Sequence, residues 1–218
     1  MKPAMPWLLS ANGGFVDTAG FLALHGLFTT HVTGNFVTLG ASLVHGTSGA
    51  VAKLLALPLF CVVVVATRLI SATVPERAHA LRMLLIVKVL LLTIGALLAI
   101  VWGPFANGDG APAIVTGMTL VAAMAIQNAV HRIHWGSLPP TTIMTGNTTQ
   151  VMIDLADLLR GVGGEERRTL DARFARMGKS ILAFALGCAL AALLYARFGV
   201  WCFVLPPLAS LLTLIMGE

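Results

Sequence analysis

The chain has 218 residues, of which 57% are hydrophobic and only 11% charged, and its mean hydropathy is +0.89. A soluble domain carries about 25% charged residues, so this composition excludes a globule faced by water and makes lipid the main solvent. The net charge of +5 does not point to nucleic acid: the basic residues sit at the ends of apolar runs, with no interleaved aromatics, which is how membrane orientation is written.

A spanning helix needs about 20 apolar residues. Full-length apolar segments are predicted over Trp7–Phe28, Leu54–Val74, Leu84–Trp102, Pro112–Ile133, Met177–Ala196 and Val200–Met216. The first carries Asn12, Gly13, Gly14 and Asp17 and has no small-residue cleavage site. It reads as a retained helix and not a signal peptide. Two further segments, Thr33–Val44 and Thr145–Leu159, are amphipathic and too short to span. Each follows a stretch poor in helix signals, Phe28–Val32 and Leu138–Met144, and Pro139 and Pro140 disfavour helix in the second. Glu165 to Lys179 is a mixed charge run behind Gly161, Gly163 and Gly164, expected to be a solvated loop. Cys61, Cys188 and Cys202 each lie in an apolar run and read as small core residues.

The short segments open alike, on Thr33-Gly34-Asn35 and Thr145-Gly146-Asn147, 112 residues apart. The same shift lays Leu84–Trp102 over the last segment, and an insertion of one or two residues brings Asp17 onto Gln127 or Asn128. The expectation is one transmembrane domain, 1–218, built from a first repeat 1–103 and a second repeat 112–218. If the short segments do not cross and the N-terminus is cytoplasmic, twelve of the fourteen Lys and Arg residues fall inside and only Lys53 and Arg197 outside; if both cross, the split is eight to six. The positive-inside rule therefore favours six crossings plus two re-entrant half-helices, with both termini cytoplasmic. Three crossings per half would invert the halves, as in many transporters.

Thr33 and Thr145 suit helix N-caps, Gly34 and Gly146 allow close approach, and Asn35 and Asn147 offer donors and acceptors. Two helix N-termini near the midplane would make a polar, anion-tolerant site. Asp17 lies mid-helix, where a charge costs at least ~2.5–3.5 kcal/mol; it reads either as a coupling group or solute ligand, or as a structural carboxyl bonded to Gln127 or Asn128. His25 is a second candidate for proton coupling, against the plainer reading of an interfacial histidine. Gln127 and Asn128 complete the candidate substrate-binding set. His131, Arg132 and His134 read as a cytoplasmic helix end, Asp154 and Asp157 as solvent-facing, and Gly40 and Gly187 as packing glycines. No nucleophile motif, phosphate loop or metal-ligand spacing is present in the sequence, so neither enzyme, metal site nor cofactor is expected.

The residues Gly14-Phe15-Val16-Asp17-Thr18-Ala19-Gly20-Phe21, Gly26-Leu27-Phe28, Gln127-Asn128-Ala129, Pro140-Thr141-Thr142 and the paired TGN boxes resemble the YoaK-type family of bacterial membrane proteins, over essentially the whole chain. The resemblance implies a six-helix bacterial inner-membrane protein of a domain family without an assigned function. His31 departs from the neutral residue expected before the first box and would add pH sensitivity. The leading functional expectation is a transporter of a small polar or anionic solute, held between the two half-helix tips. A passive channel, or a non-catalytic scaffold or sensor, is the alternative, and a membrane enzyme ranks below both. The partners expected are the bilayer and a small solute, with no nucleic acid; a homo-oligomer is compatible.

Overall fold

Apolar runs in this chain can satisfy their backbone only by hydrogen-bonding internally, and every run becomes a helix. The computed structural model describes residues 5–142 and 144–216. It contains helices α1 Met5–Ala23, α2 Gly34–His45, α3 Ala50–Thr73, α4 Arg77–Trp102, α5 Ala111–His134, α6 Met144–Leu159, α7 Gly164–Phe198 and α8 Leu205–Met216, with a 3-10 turn Gly199–Val204 before α8. The helical stretches 50–73, 77–102, 111–134 and 164–216 are long and apolar enough to cross a membrane. The chain is thus an all-α protein of membrane type.

Three expected boundaries are corrected. The first helix ends at Ala23 and not Phe28, because His25 (φ 54°) and Gly26 (φ +83°) enter the left-handed region and break the helical register. Val200–Met216 is not one α-helix. Its first turn is 3-10, since Pro206 and Pro207 lack the N–H groups that would bond back into that turn. The charge run Glu165–Lys179 is not a loop but the N-terminal half of α7. Its Glu, Arg, Leu, Ala and Met residues favour helix, Glu165 and Glu166 suit the positive end of the dipole, and Arg167 and Asp171 pair across one turn at 3.8 Å.

Packing repeats between the halves. Helix α1 lies between α7 and α8, and α5 lies between α3 and α4. The α1–α7 crossing is the closest built: a Cβ at Gly14 would overlap the Phe184 carbonyl, and one at Gly187 the Ala11 carbonyl. Gly187 is therefore a packing glycine, as expected. Gly40, with nothing within 4 Å, is not. The hydrophobic interior falls into two clusters, a larger one centred on Val16, Leu92, Leu120 and Met124, and a smaller one on Leu9, Leu84, Ile126 and Val130.

Candidate functional site

Between α1 and α2 the chain runs ten residues without regular structure, from Leu24 to Thr33. Where this stretch is buried, its backbone N–H groups need acceptors. Asp17 supplies them: one carboxylate oxygen accepts from the N–H groups of Thr29 (2.7 Å) and Thr30 (2.8 Å) and from the Thr29 hydroxyl (3.3 Å). The other oxygen meets His31 Nδ1 at 2.5 Å. Asn35 closes the loop, accepting from Phe28 N–H and donating to the Phe28 carbonyl, both at 2.8 Å. Asp17 therefore does not bond to Gln127 or Asn128; its partners lie in the lead-in of its own half.

The second half builds the same skeleton from neutral groups. Asn147 donates to the Pro140 carbonyl at 2.9 Å, and Pro140 and Asn147 stand 112 residues beyond Phe28 and Asn35. Asn128 accepts a short hydrogen bond from the Thr142 hydroxyl, and Thr142 stands 112 beyond Thr30. Gln127 donates to the Leu9 carbonyl (3.0 Å) and Thr141 (3.2 Å). Each short helix is also tied to the next by a cation: Lys53 donates to Ser42 at 2.6 Å, and Arg173 grips Asp154 with bonds of 2.8 and 2.5 Å. Asp154, again 112 beyond Ser42, is fully buried and also accepts from Gln150. It does not face solvent as expected; the Arg173 guanidinium holds its carboxyl below the usual carboxylate range. Asp157 pairs loosely with Arg160 at 3.5 Å.

The expected site residues divide accordingly. Asn35 and Asn147 are buried clamps. Thr33 is exposed and forms no side-chain cap, and Thr145 and Gly146 lie exposed inside the first turn of α6. The Thr-Gly-Asn boxes are thus read through their asparagines, not their threonines. The first-turn N–H groups of Gly34, Asn35 and Phe36 bond back to His31, Val32 and Thr33, so the tip of α2 offers no free donors to an anion. Helices α2 and α6 do not touch. The two lead-ins converge instead on α1: Thr29 and Thr30 at Asp17, and Thr141 and Thr142 beside Gly13, one turn earlier. His25 is remote in partners, bonding the Phe105 carbonyl (2.9 Å) and Ser48 (3.1 Å) within the loop cluster that also holds Asp109 on the N-terminus of α3.

One wall of this arrangement is open. A cavity of about 490 Å³ is lined by Asp17, Phe21, Phe28, His31, Phe184 and Cys188. The Asp17 side chain is 6% exposed and that of His31 32%, so the histidine is the face the pair turns to the cavity. Its ring stands edge-on to Phe184 and Phe28, at 5.6 and 6.2 Å between centroids. The sequence reading marked Asp17 and His31 separately and missed their pairing. The signal was present in the spacing of fourteen, which recurs as Asp17–His31, Gln127–Thr141 and Asn128–Thr142.

Residues 5–216 match the family described as "Protein of unknown function (DUF1275)", and the chain belongs to that family, in line with the resemblance of its paired boxes. No curated protein and no solved structure matches the chain.

Proposed function

We propose that this protein is a membrane carrier for a small polar or anionic solute, with the Asp17–His31 pair as its proton-coupling group. In this reading α1, α3, α4, α5, α7 and α8 cross the bilayer, α2 and α6 are re-entrant, the halves are inverted repeats, and both termini are cytoplasmic. The solute passes along α1, where the two lead-ins converge, and not between the helix tips. The observation that carries the reading is the buried acid–base pair at an interrupted helix, open to a cavity mainly through its histidine. A carboxylate placed among apolar helices is expensive, and a solely structural clamp of Thr29 and Thr30 has no use for a titratable partner on the cavity side. Irregular backbone lining a cavity is how carriers expose polar atoms at depth.

The test is thermal stability of the purified protein in detergent against a panel of metabolites and ions at several pH values. Wild type is compared with Asp17→Asn and His31→Gln, followed by flux into liposomes. A ligand selective for the folded state raises stability by ~2.7 kcal/mol at a hundredfold excess over its dissociation constant. The expected result is a solute that stabilises wild type, drives proton-coupled flux, and loses the coupling in both variants. Flux with unchanged pH dependence in Asp17→Asn would falsify the coupling role. Single cysteines at Gly34 and Gly46, in a background lacking Cys61, Cys188 and Cys202, test re-entrance. Gly46 should label from one side only, the periplasmic one.

A further inference from the structure

We propose that the centre of the bundle holds a second site, separate from Asp17, in which Lys88 binds a small monovalent anion together with a proton.

Lys88 is the twelfth residue of the 26-residue α4 and is fully buried. This corrects the sequence reading, which counted it among cytoplasmic charges. Its amine has no hydrogen-bond partner. Among the described residues, five other buried side-chain atoms share that condition: Ser10 Oγ and Asn12 Oδ1 on α1, Gln127 Oε1 and His131 Nε2 on α5, and Ser180 Oγ on α7. Four of these residues, Lys88, Ser10, Asn12 and Gln127, fall between or beside the members of the two core clusters along their own helices. Along α1 the small cluster supplies Met5 and Leu9 and the large one Phe15 and Val16, with Ser10 and Asn12 between them. Along α4 the small cluster has Leu84 and Leu85 and the large one Leu92, with Lys88 between. Along α5 Gln127 sits at the same seam, next to Ile126 and past Met124. Ser210 of α8, which accepts from Asn12 at 2.8 Å, joins the belt from the fourth side. A polar layer therefore divides the core in two, and it holds unspent hydrogen-bonding atoms where natural interiors leave very few.

Among the described residues there is no counter-ion for this amine. Helix α4 contains no Asp or Glu, and neither does any element packed against it. The titratable groups there are Lys53, Cys61 and Arg68 on α3, His131, Arg132 and His134 on α5, and Cys202 on the 3-10 turn; α8 has none. The buried acids elsewhere are occupied, Asp17 by His31 and Asp154 by Arg173. An isolated ammonium in an apolar interior is costly, and the group sheds its proton instead. The charged form becomes stable only when an anion arrives from outside. The balanced step is a neutral amine plus one proton plus one anion giving an ammonium–anion pair, with no net charge added to the membrane interior. The ammonium has three N–H donors: one meets the anion, and the orphan oxygen of Gln127 on the adjoining α5 suits another, directly or through water.

The site does not depend on the carrier reading, because binding is measured without transport. The experiment takes purified protein in detergent and adds sodium formate, nitrate or chloride, with sodium gluconate as the bulky control, at constant ionic strength. It records the thermal midpoint and, in weakly buffered solution, proton uptake. The expected result is a rise of several degrees with the small anions only, one proton taken up per anion, and both effects absent in Lys88→Met. Lys88→Met should itself fold at least as stably as wild type without anion. Three results would overturn the proposal: no anion-dependent rise in wild type, which would mean that water alone fills the belt; a rise retained in Lys88→Met; or binding without proton uptake. If Lys88→Met does not fold, the wild-type proton stoichiometry decides. Anion binding with no flux in liposomes would sink the carrier reading and leave this site standing.

Discussion

The lead-in before α2 and the lead-in before α6 are held by the same hydrogen-bond skeleton, but the charges sit in different places. In the first half the junction with the long helix is ionic, Asp17 with His31, and the tie to the following helix is a lysine on a neutral Ser42. In the second half the junction is neutral, Asn128 with Thr142, and the tie is a full ion pair, Asp154 with Arg173. Neutral side chains suffice to hold a lead-in, as the second half demonstrates. The charge at Asp17 is therefore surplus to holding the loop, which is why it draws a functional reading, whereas the charge at Asp154 does the work of a strut.

The largest effect expected from this contrast is at the strut. Arg173→Met leaves a fully buried carboxylate with Gln150 as its remaining side-chain partner. Removing one member of a buried pair costs about 3–5 kcal/mol, and because the Arg173 side chain is 38% exposed the lower end, about 3, is expected. Lys53→Met at the equivalent tie removes a bond to a hydroxyl and should cost about 1 kcal/mol. The ratio is read from denaturation in mixed micelles; equal losses would break the comparison. The pH dependence has a definite sign. Arg173 lowers the folded-state value of Asp154, so its stabilisation is present above the ordinary carboxylate range, near pH ~4, and is lost as pH falls below it. The gap between wild type and Arg173→Met should thus close on acidification.

A middle-sized effect separates the asparagine clamps. Asn35 makes two bonds to Phe28, donor and acceptor. Asn147 makes one to the carbonyl of Pro140, which has no N–H to return, and a weaker one to Met144 Sδ at 3.6 Å. With a buried unpaired group costing about 1–3 kcal/mol, Asn35→Ala should lose roughly twice what Asn147→Ala loses. If the two lose the same, the N–H of Phe28 has another acceptor in the bilayer.

Much of this arrangement was legible in the sequence. Two of the apolar runs, Leu54–Val74 and Pro112–Ile133, the two short helices and the matching boxes stand within a few residues of their predicted places, because length and apolarity decide them. Asp17, Asn35 and Asn147 were marked because polar atoms at depth must be satisfied. The pairing with His31 showed only as a recurring spacing of fourteen, and the burial of Asp154 and the isolation of Lys88 were not legible. Each depends on which side chains a loop or a neighbouring helix turns inward, and apolar periodicity carries no information on that. The helical run from Glu165 was hidden by its charge, which signals solvent contact but not the absence of secondary structure.

The smallest effect concerns the glycines of the two boxes, which the sequence treats as equals. A Cβ at Gly34 would stand 3.2 Å from the Phe28 ring, which His31 and Phe21 also contact. A Cβ at Gly146 meets nothing within 4 Å. Both residues lie in the first turn of a helix, where alanine lowers the conformational entropy of the unfolded chain and gains about 0.4–1 kcal/mol if the site admits it. Gly146→Ala should therefore raise stability by up to that amount. Gly34→Ala must push the Phe28 ring, and with it the cavity wall beside Asp17, so it should gain nothing. It should also lower solute affinity if the cavity is used. A gain at both positions would mean that the Phe28 ring yields freely and that this wall is softer than its three-ring contact implies.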